Sequence, residues 1–132
     1  MNKKIFLVLF SVLLLGMATY ALGETKTYTF IFDYAGMNKF SEEANKADTE
    51  TNYYVTQTDT AVSQGTSPRT RYYSYYNGEQ ASKPLNLSSS DFNRHYEAYT
   101  ISPKTGKGYQ LYGQFVTGTG AGFSQVTGRW TP

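Results

Sequence analysis

The chain has 132 residues, with 12 Lys and Arg against 10 Asp and Glu, a single histidine and no cysteine. The lack of cysteine excludes disulfides, thiolate nucleophiles and cysteine-ligated zinc, and a single histidine argues against a transition-metal site. Without Lys3 and Lys4, which precede an apolar run, the basic and acidic residues balance at ten each. Such a neutral chain lacks the dense basic footprint of a nucleic-acid-binding protein, so we expect no nucleic-acid partner.

The N-terminal segment has the pattern of a secretory signal peptide. Lys3 and Lys4 precede an apolar run over residues 5–15, and small residues follow it. This run is shorter than the roughly 20 apolar residues that a membrane-spanning helix needs. The segment therefore predicts export of a secreted protein, with no stable membrane span after cleavage.

Small residues near position 23 indicate the cleavage site. Ala21-Leu22-Gly23 favours a cut before Glu24, and a cut after Ala21 is the second choice. We therefore assign residues 1–23 to the signal peptide and residues 24–132 to a single domain. A mature chain of about 109 residues can form one core and is too short for two ordinary domains.

The clearest element is the stretch TKTYTFIFDY over residues 25–34. Its aromatic residues Tyr28, Phe30, Phe32 and Tyr34 fall on one face, because side chains alternate along a strand. Aromatic and β-branched residues in this alternation are typical of a half-buried strand. We expect the aromatic face to look into the core.

Residues 41–47 lose this alternation and predict either a short helix of about two turns or a polar loop. Ser41 would cap the helix, and Glu42 and Glu43 would lie at the positive end of its dipole. An isolated helix of this length is marginal in water, so both alternatives stay open.

The rest of the chain predicts further short strands, over residues 53–60, 69–76, 93–101, 108–117 and 123–131. Asn77-Gly78 is the preferred pair for a type I′ hairpin, since both central residues need positive φ. The return arm over 79–87 holds Pro84, which predicts an edge strand or irregular structure. About six or seven short strands predict an all-β fold, either a small antiparallel β-sandwich or a barrel.

The stretch RYYSYYNGE contains four tyrosines in five residues. Alternation places Arg71, Tyr73 and Tyr75 on one face of this strand, and Tyr72 and Tyr76 on the other. Because a face that carries arginine is a poor core face, we expect the first set to point outward. Exposed tyrosine rings can stack against sugars or bases, so these three residues are the candidate ligand-binding residues.

Catalytic, metal and cofactor chemistry is not predicted. His95 and the serines at 88–90 could belong to a Ser-His-Asp triad, but no G-x-S-x-G turn accompanies them, and a surface imidazole is the favoured interpretation. The Gly-rich segment 118–122 precedes a strand, whereas the dinucleotide motif requires a helix there, so it predicts a hairpin loop. We therefore expect a protein that is not an enzyme and uses no cofactor or metal.

Charge is unevenly distributed along the chain. Residues 24–60 hold three basic and seven acidic groups, and residues 61–132 hold seven basic and three acidic groups. This asymmetry predicts either that the two halves pair as neighbouring strands or that the second half presents a basic face to an anionic partner. The basic residues are scattered singly, which favours the first interpretation.

The last third, YQLYGQFVTGTGAGFSQVTGRWTP, carries a resemblance over 24 residues, none of them catalytic. Leu111-Tyr112-Gly113, a Gly/Thr-rich turn and the stretch from Val126 to Pro132 resemble the C-terminal pattern of small exported proteins of unknown function from Gram-positive bacteria. More distantly, the chain resembles lactococcin-type, cysteine-free bacteriocins that fold as small β-sandwiches, although it lacks their tryptophan-rich opening. The resemblance implies secretion and a β-sandwich.

Three hypotheses for function follow. The first is a bacteriocin-like binding factor directed at a cell-envelope component. The second is a carbohydrate- or cell-wall-binding module that uses Arg71, Tyr73 and Tyr75 to contact a polysaccharide. The third is a structural matrix protein, since Tyr-, Gln- and Gly-rich strands near zero net charge can assemble edge to edge. The sequence leaves the oligomeric state open.

Overall fold

The computed structural model describes residues 23–63, 68–116 and 122–132. Regular structure within these ranges consists of ten strands: β1 Lys26–Phe32, β2 Asn38–Phe40, β3 Ala44–Asn45, β4 Asn52–Val62, β5 Arg69–Tyr76, β6 Glu79–Gln80, β7 Leu85–Ser88, β8 Arg94–Ala98, β9 Gly108–Val116 and β10 Ser124–Thr131. They form two antiparallel sheets. The all-β prediction is confirmed as a small sandwich, with ten strands, several very short, instead of six or seven.

Some predicted features lie outside the described residues. These are residues 1–22 of the predicted signal peptide and residues 118–121 of the predicted hairpin loop over 118–122. Export, cleavage before Glu24 and the single-domain boundary therefore stay predictions.

The four-stranded sheet has the strand order β1-β10-β4-β8. β10 is paired on both sides, with β1 from Lys26↔Trp130 to Phe32↔Ser124 and with β4. A register shift between Thr127 and Gly128 interrupts the pairing with β4. Such a bulge bends the strand and strengthens its twist.

The six-stranded sheet is built on the long pair β5 and β9, which face each other from Arg69↔Val116 to Tyr76↔Tyr109. β2 and β3 pair with the free side of β9, while β6 and β7 pair with the free side of β5. Both edges of this sheet are therefore interrupted strands. The interruption between β6 and β7 contains Pro84, as predicted, because proline cannot donate a ladder hydrogen bond.

The predicted hairpin turn is present between β5 and β6. Asn77 and Gly78 both have positive φ, of 52° and 78°, and Tyr76 pairs with Glu79 across the turn. Positive φ at both central residues is the requirement of a type I′ turn. The turn fixes the register of β5, and this register decides which of its tyrosines share a face.

The core lies between the sheets and consists largely of aromatic rings. Tyr28, Phe30 and Phe32 of β1 are buried, as the alternation predicts, and Phe32 stacks on Phe115 of β9 with ring centroids 5.9 Å apart. The same prediction is wrong for Tyr34, which is 60% exposed. The physical reason is that β1 ends at Phe32, so strand alternation no longer sets the direction of Tyr34.

Two buried tyrosine hydroxyls, those of Tyr28 and Tyr72, belong to a chain of hydrogen bonds that crosses the sandwich. Tyr28 Oη donates to Tyr72 Oη over 2.9 Å, and Tyr72 Oη donates to Gln57 Oε1 over 2.9 Å. Gln57 Nε2 then donates to the carbonyls of Ser88 and Asp91, both at 2.8 Å. Because an unpaired buried polar group costs about 1–3 kcal/mol, this chain allows polar side chains to fill the interior.

Two glycines allow close approach inside the sandwich. A Cβ on Gly113 would lie 2.5 Å from the ring of Phe30. A Cβ on Gly128 would overlap the backbone oxygen of Thr56 and lie 2.6 Å from Tyr28 Oη. Real Cβ atoms do not approach heavy atoms this closely, and a dense interior relaxes little, so both positions require glycine.

The predicted short helix over 41–47 is wrong. Ala44–Asn45 forms β3 and pairs with Tyr109 and Gly108. Ser41 contributes a side-chain bond, since Leu111 N donates to Ser41 Oγ over 2.8 Å. The exposed edge of β9 supplies backbone partners that an isolated two-turn helix would lack, and a helix this short has little stability of its own.

Lys46, directly after β3, is fully buried. Its ammonium group donates to Asp48 Oδ1 at 2.9 Å and to the carbonyl of Pro132 at 3.2 Å. It also lies 5.0 Å from the ring centroid of Tyr99. These contacts compensate the cost of removing a charge from water and tie the end of β10 to the segment after β3.

Substituting Gly128 tests the close packing at the bulge. We expect Gly128→Ala to lower the free energy of unfolding by about 1–3 kcal/mol, because the added methyl group meets rigid backbone and displaces Tyr28. Urea unfolding followed by circular dichroism measures this loss. Gly122→Ala is the matched control, since the nearest atom to its added Cβ is Ser63 Oγ at 3.9 Å. Equal stability of the two variants would contradict the packing argument.

Alkaline titration tests the buried tyrosines. Burial is the main cause that raises the pKa of four tyrosine hydroxyls well above their ordinary value of 10.0: Tyr28, Tyr53, Tyr72 and Tyr99. Above pH ~10 the unfolded chain releases these protons and the folded chain retains them, so the free energy of unfolding falls as pH rises, by about 1.4 kcal/mol per pH unit for each group.

Two measurements check this expectation. Tyrosinate absorbance should show a set of tyrosines, the four buried ones, that ionises only as the sheets unfold and at a pH above the ordinary tyrosine range. Urea unfolding should give constant stability up to about pH 9 and a decline above it. Reversible ionisation of all tyrosines near pH 10 with intact sheets would overturn the buried assignment.

Candidate functional site

Four aromatic side chains meet on the outer face of the six-stranded sheet. The register places Phe40 opposite Tyr112 and Tyr112 opposite Tyr73, so three rings form one row across β2, β9 and β5. Tyr75 lies two residues further along β5 on the same face. We call Phe40, Tyr73, Tyr75 and Tyr112 the aromatic patch.

Tyr112 is the centre of the aromatic patch. Its ring centroid lies 5.1 Å from Phe40, 5.7 Å from Tyr73 and 5.1 Å from Tyr75. The Tyr75 contact is stacked with an interplanar angle of 26°, while Phe40 meets Tyr75 edge-on at 5.2 Å. Aromatic pairs at these separations attract beyond their burial, so the rings hold one another in place.

The patch is open to solvent. Phe40 is 49% exposed, and the three tyrosines are partly exposed because they cover one another. Burial is the largest cause that raises the pKa of Tyr75, followed by the neighbouring hydroxyls of Tyr112 and Tyr73. Tyr75 is therefore protonated and neutral at neutral pH.

Amide side chains and one guanidinium surround the rings on the same face. Gln110 lies opposite Tyr75, and Gln114 lies opposite Arg71. Arg71 is also paired with Asn86 of the neighbouring strand β7, and its Nε donates to Asn86 Oδ1 over 3.1 Å. Each amide offers two N–H donors and a carbonyl acceptor, so the rim can both donate and accept hydrogen bonds.

The structure places the sequence-predicted residues as expected. Tyr73, Tyr75 and Arg71 lie on the outer face, partly exposed, and Tyr72 is fully buried. Tyr76 is partly buried and packs against the core. Their role in binding a ligand stays a prediction.

Sequence reasoning missed two members of the patch, Phe40 and Tyr112. The alternation of Gln110, Tyr112 and Gln114 along β9 is visible in the sequence and indicates an exposed face. Which strand lies beside β9 is not visible, because strand pairing is a long-range property. Phe40 lies on a three-residue strand that is too short to give an alternation signal.

No hydrogen bond joins His95 to Ser88 or Ser90 in the part of the chain that the structure describes. His95 Nε2 lies 2.8 Å from Asp91 Oδ2, and the neighbouring imidazole is the main cause that lowers the pKa of Asp91. Among the described residues, the hydroxyls of Ser88 and Ser90 lie 3.1 Å from each other, and no hydrogen bond to His95 from either is present. The absence of enzymatic activity stays a prediction.

Neither a group of metal-ligating side chains nor a helix able to span a membrane occurs within residues 23–63, 68–116 and 122–132. No three His, Asp or Glu side chains in these ranges are grouped so that they could hold a metal ion. No helix with the length and apolarity to cross a membrane occurs in them.

No protein-family model and no curated protein matches this chain. Among solved structures, the crystal structure of FLHE is 13% identical with a TM-score of 0.41, and the alignment covers 83% of this chain and 96% of that one. The EclA C-terminal domain, described as a sugar-binding protein, is 13% identical with a TM-score of 0.43, covering 86% of this chain and 83% of that one. At such low values neither likeness bears on what this chain binds.

Proposed function

We propose that this protein binds carbohydrate, and that the aromatic patch is the surface that contacts the sugar rings. The observation that carries the proposal is the contact of Tyr112 with three other rings on an exposed sheet face. A contiguous patch of exposed aromatic rings is unfavourable in water and uncommon on monomeric proteins. Such a patch therefore marks an interaction site.

The chemistry of the patch suits a sugar. One face of a pyranose ring presents C–H groups, which pack against the π face of an aromatic ring. Its hydroxyls both donate and accept hydrogen bonds, and the amides of Gln110 and Gln114 match this dual demand. The patch itself carries no formal charge and Arg71 lies at its margin, so a neutral or weakly acidic glycan fits best.

The shape of the site favours a polymer over a small molecule. Pockets for small ligands enclose most of the ligand surface, whereas this site lies on an open sheet face. A row of rings across three strands extends roughly 10 Å, the distance spanned by two inter-strand steps, which accommodates about two sugar units along a chain. We therefore propose a polysaccharide of the cell envelope as the partner of the exported protein.

The two other hypotheses from the sequence are less well supported. The interrupted edges β2/β3 and β6/β7 of the six-stranded sheet offer only short stretches of unpaired backbone, and short edge strands oppose edge-to-edge assembly. The four-stranded sheet, however, has the seven-residue strand β1 at one edge, so the matrix hypothesis stays a prediction. The bacteriocin-like hypothesis stays a prediction, which growth inhibition of a panel of Gram-positive bacteria by the purified protein would test.

Single substitutions in the patch test the proposal. We expect Tyr112→Ala to weaken polysaccharide binding by about 10- to 100-fold, the loss of one stacking ring, and Phe40→Ala to weaken it about as much. Tyr112→Phe should retain binding, because it keeps the ring. Affinity electrophoresis and pull-down on peptidoglycan, cellulose, chitin and other envelope polysaccharides measure the effect.

Tyr34→Ala is the matched control, since Tyr34 is 60% exposed and lies outside the patch. Near-ultraviolet circular dichroism should show that each variant remains folded. The proposal fails if the wild-type protein binds none of these polysaccharides, or if Tyr112→Ala binds as tightly as Tyr34→Ala.

A further inference from the structure

A cleft of about 330 Å³ lies on the outer face of the four-stranded sheet, on the opposite side of the sandwich from the aromatic patch. Its lining consists of Thr25, Tyr54, Thr56, Arg94, Arg129, Trp130 and Thr131. The lining thus offers four hydroxyls and two guanidinium groups, which are hydrogen-bond partners for a negatively charged group.

The two arginines are brought into one row by strand pairing. Arg129 of β10 faces Thr56 of β4, and Thr56 faces Arg94 of β8. Strands are about 4.8 Å apart, so the Cα atoms of the two arginines are separated by roughly 10 Å with a small threonine between them. Two long side chains that start at this separation can converge on one group above Thr56.

Arg94 is positioned by an aromatic ring. Its guanidinium carbon lies 4.1 Å from the ring centroid of Tyr54. Stacking uses the flat face of the guanidinium and leaves its N–H edges free to bind an oxyanion. A side chain held in this way loses less conformational entropy when a ligand binds.

Neither arginine has an acidic ion-pair partner among the described residues. The ion pairs there are Lys26–Glu24, Lys46–Asp48 and His95–Asp91. Two acids, Asp48 and Glu50, line an adjoining hollow together with Arg94. Asp48 is bonded to Lys46, and a hydrogen bond with Glu50 is the main cause that raises the pKa of Tyr54.

We propose that this cleft is a second binding site, which takes an oxyanion group: a carboxylate, sulfate or phosphate, free or carried by an acidic polymer. Arg94 binds the group through its free N–H edge, Arg129 binds it from the other side, and the hydroxyl of Thr56 donates to it. This site is independent of the aromatic patch, because the two lie on opposite faces of the sandwich.

Titrations with dextran sulfate and polygalacturonate, with uncharged dextran as the neutral reference, test the site. We expect binding to both acidic polymers and a loss of about tenfold in affinity for Arg94→Gln and for Arg129→Gln, since each removes one charge-assisted contact. Arg69→Gln is the matched control, since Arg69 is exposed on β5 and lies outside both the aromatic patch and the cleft, and it should bind dextran sulfate as the wild type. Tyr112→Ala should also retain dextran sulfate binding, which separates this site from the carbohydrate proposal.

Competition identifies the recognised group. Displacement by inorganic sulfate or phosphate supports recognition of the tetrahedral oxyanion itself, and displacement by galacturonate alone supports a carboxylate site. The proposal is overturned if dextran sulfate does not bind, if Arg69→Gln weakens its binding as much as Arg129→Gln, or if Arg94→Gln and Arg129→Gln leave its binding unchanged. Arg94 and Arg129 are exposed, so both substitutions should leave folding unaffected, which circular dichroism of each variant checks.

Discussion

The requirement that a buried tyrosine hydroxyl find a partner governs this sandwich. A core of leucine and valine could pack in many ways, but a hydroxyl placed in the interior must meet a donor or acceptor at about 3 Å. The chain from Tyr28 through Tyr72 to Gln57 meets this requirement with bonds that run between the sheets. The hydrogen bonds therefore fix the position of one sheet on the other, which apolar packing alone specifies less strictly.

The same requirement separates two classes of tyrosine along β5. Tyr72 is buried because its hydroxyl reaches both Tyr28 and Gln57. Tyr73 and Tyr75 face away from these partners, and their hydroxyls remain accessible to water. Because side chains alternate along β5, the strand that places Tyr72 in the core also places Tyr73 and Tyr75 on the opposite, exposed face. The binding surface and the core thus depend on a single register, which the turn at Asn77-Gly78 sets.

The local part of this architecture could be predicted from the sequence. Alternation identified the inward rings of β1 and the outward Arg71, Tyr73 and Tyr75, because side-chain direction in a strand depends only on neighbours. The grouping of Phe40 with Tyr112, and the row of arginines on the other sheet, could not be predicted, since they depend on which distant strands pair. The helix predicted as one alternative for residues 41–47 is wrong. Their polar composition resembles a capped helix, but the backbone of Ala44–Asn45 pairs with β9 at the edge of the sheet.

The buried Lys46 has a consequence for how the domain opens. Because its ammonium group is held by Asp48 and by the carbonyl of Pro132, the end of β10 cannot separate from the sheet without leaving a charge in the interior with fewer partners. Local opening at this end of β10 is thereby coupled to disruption of the segment after β3. Amide protons at the end of β10 should accordingly exchange with solvent together with those near Lys46, as one cooperative unit.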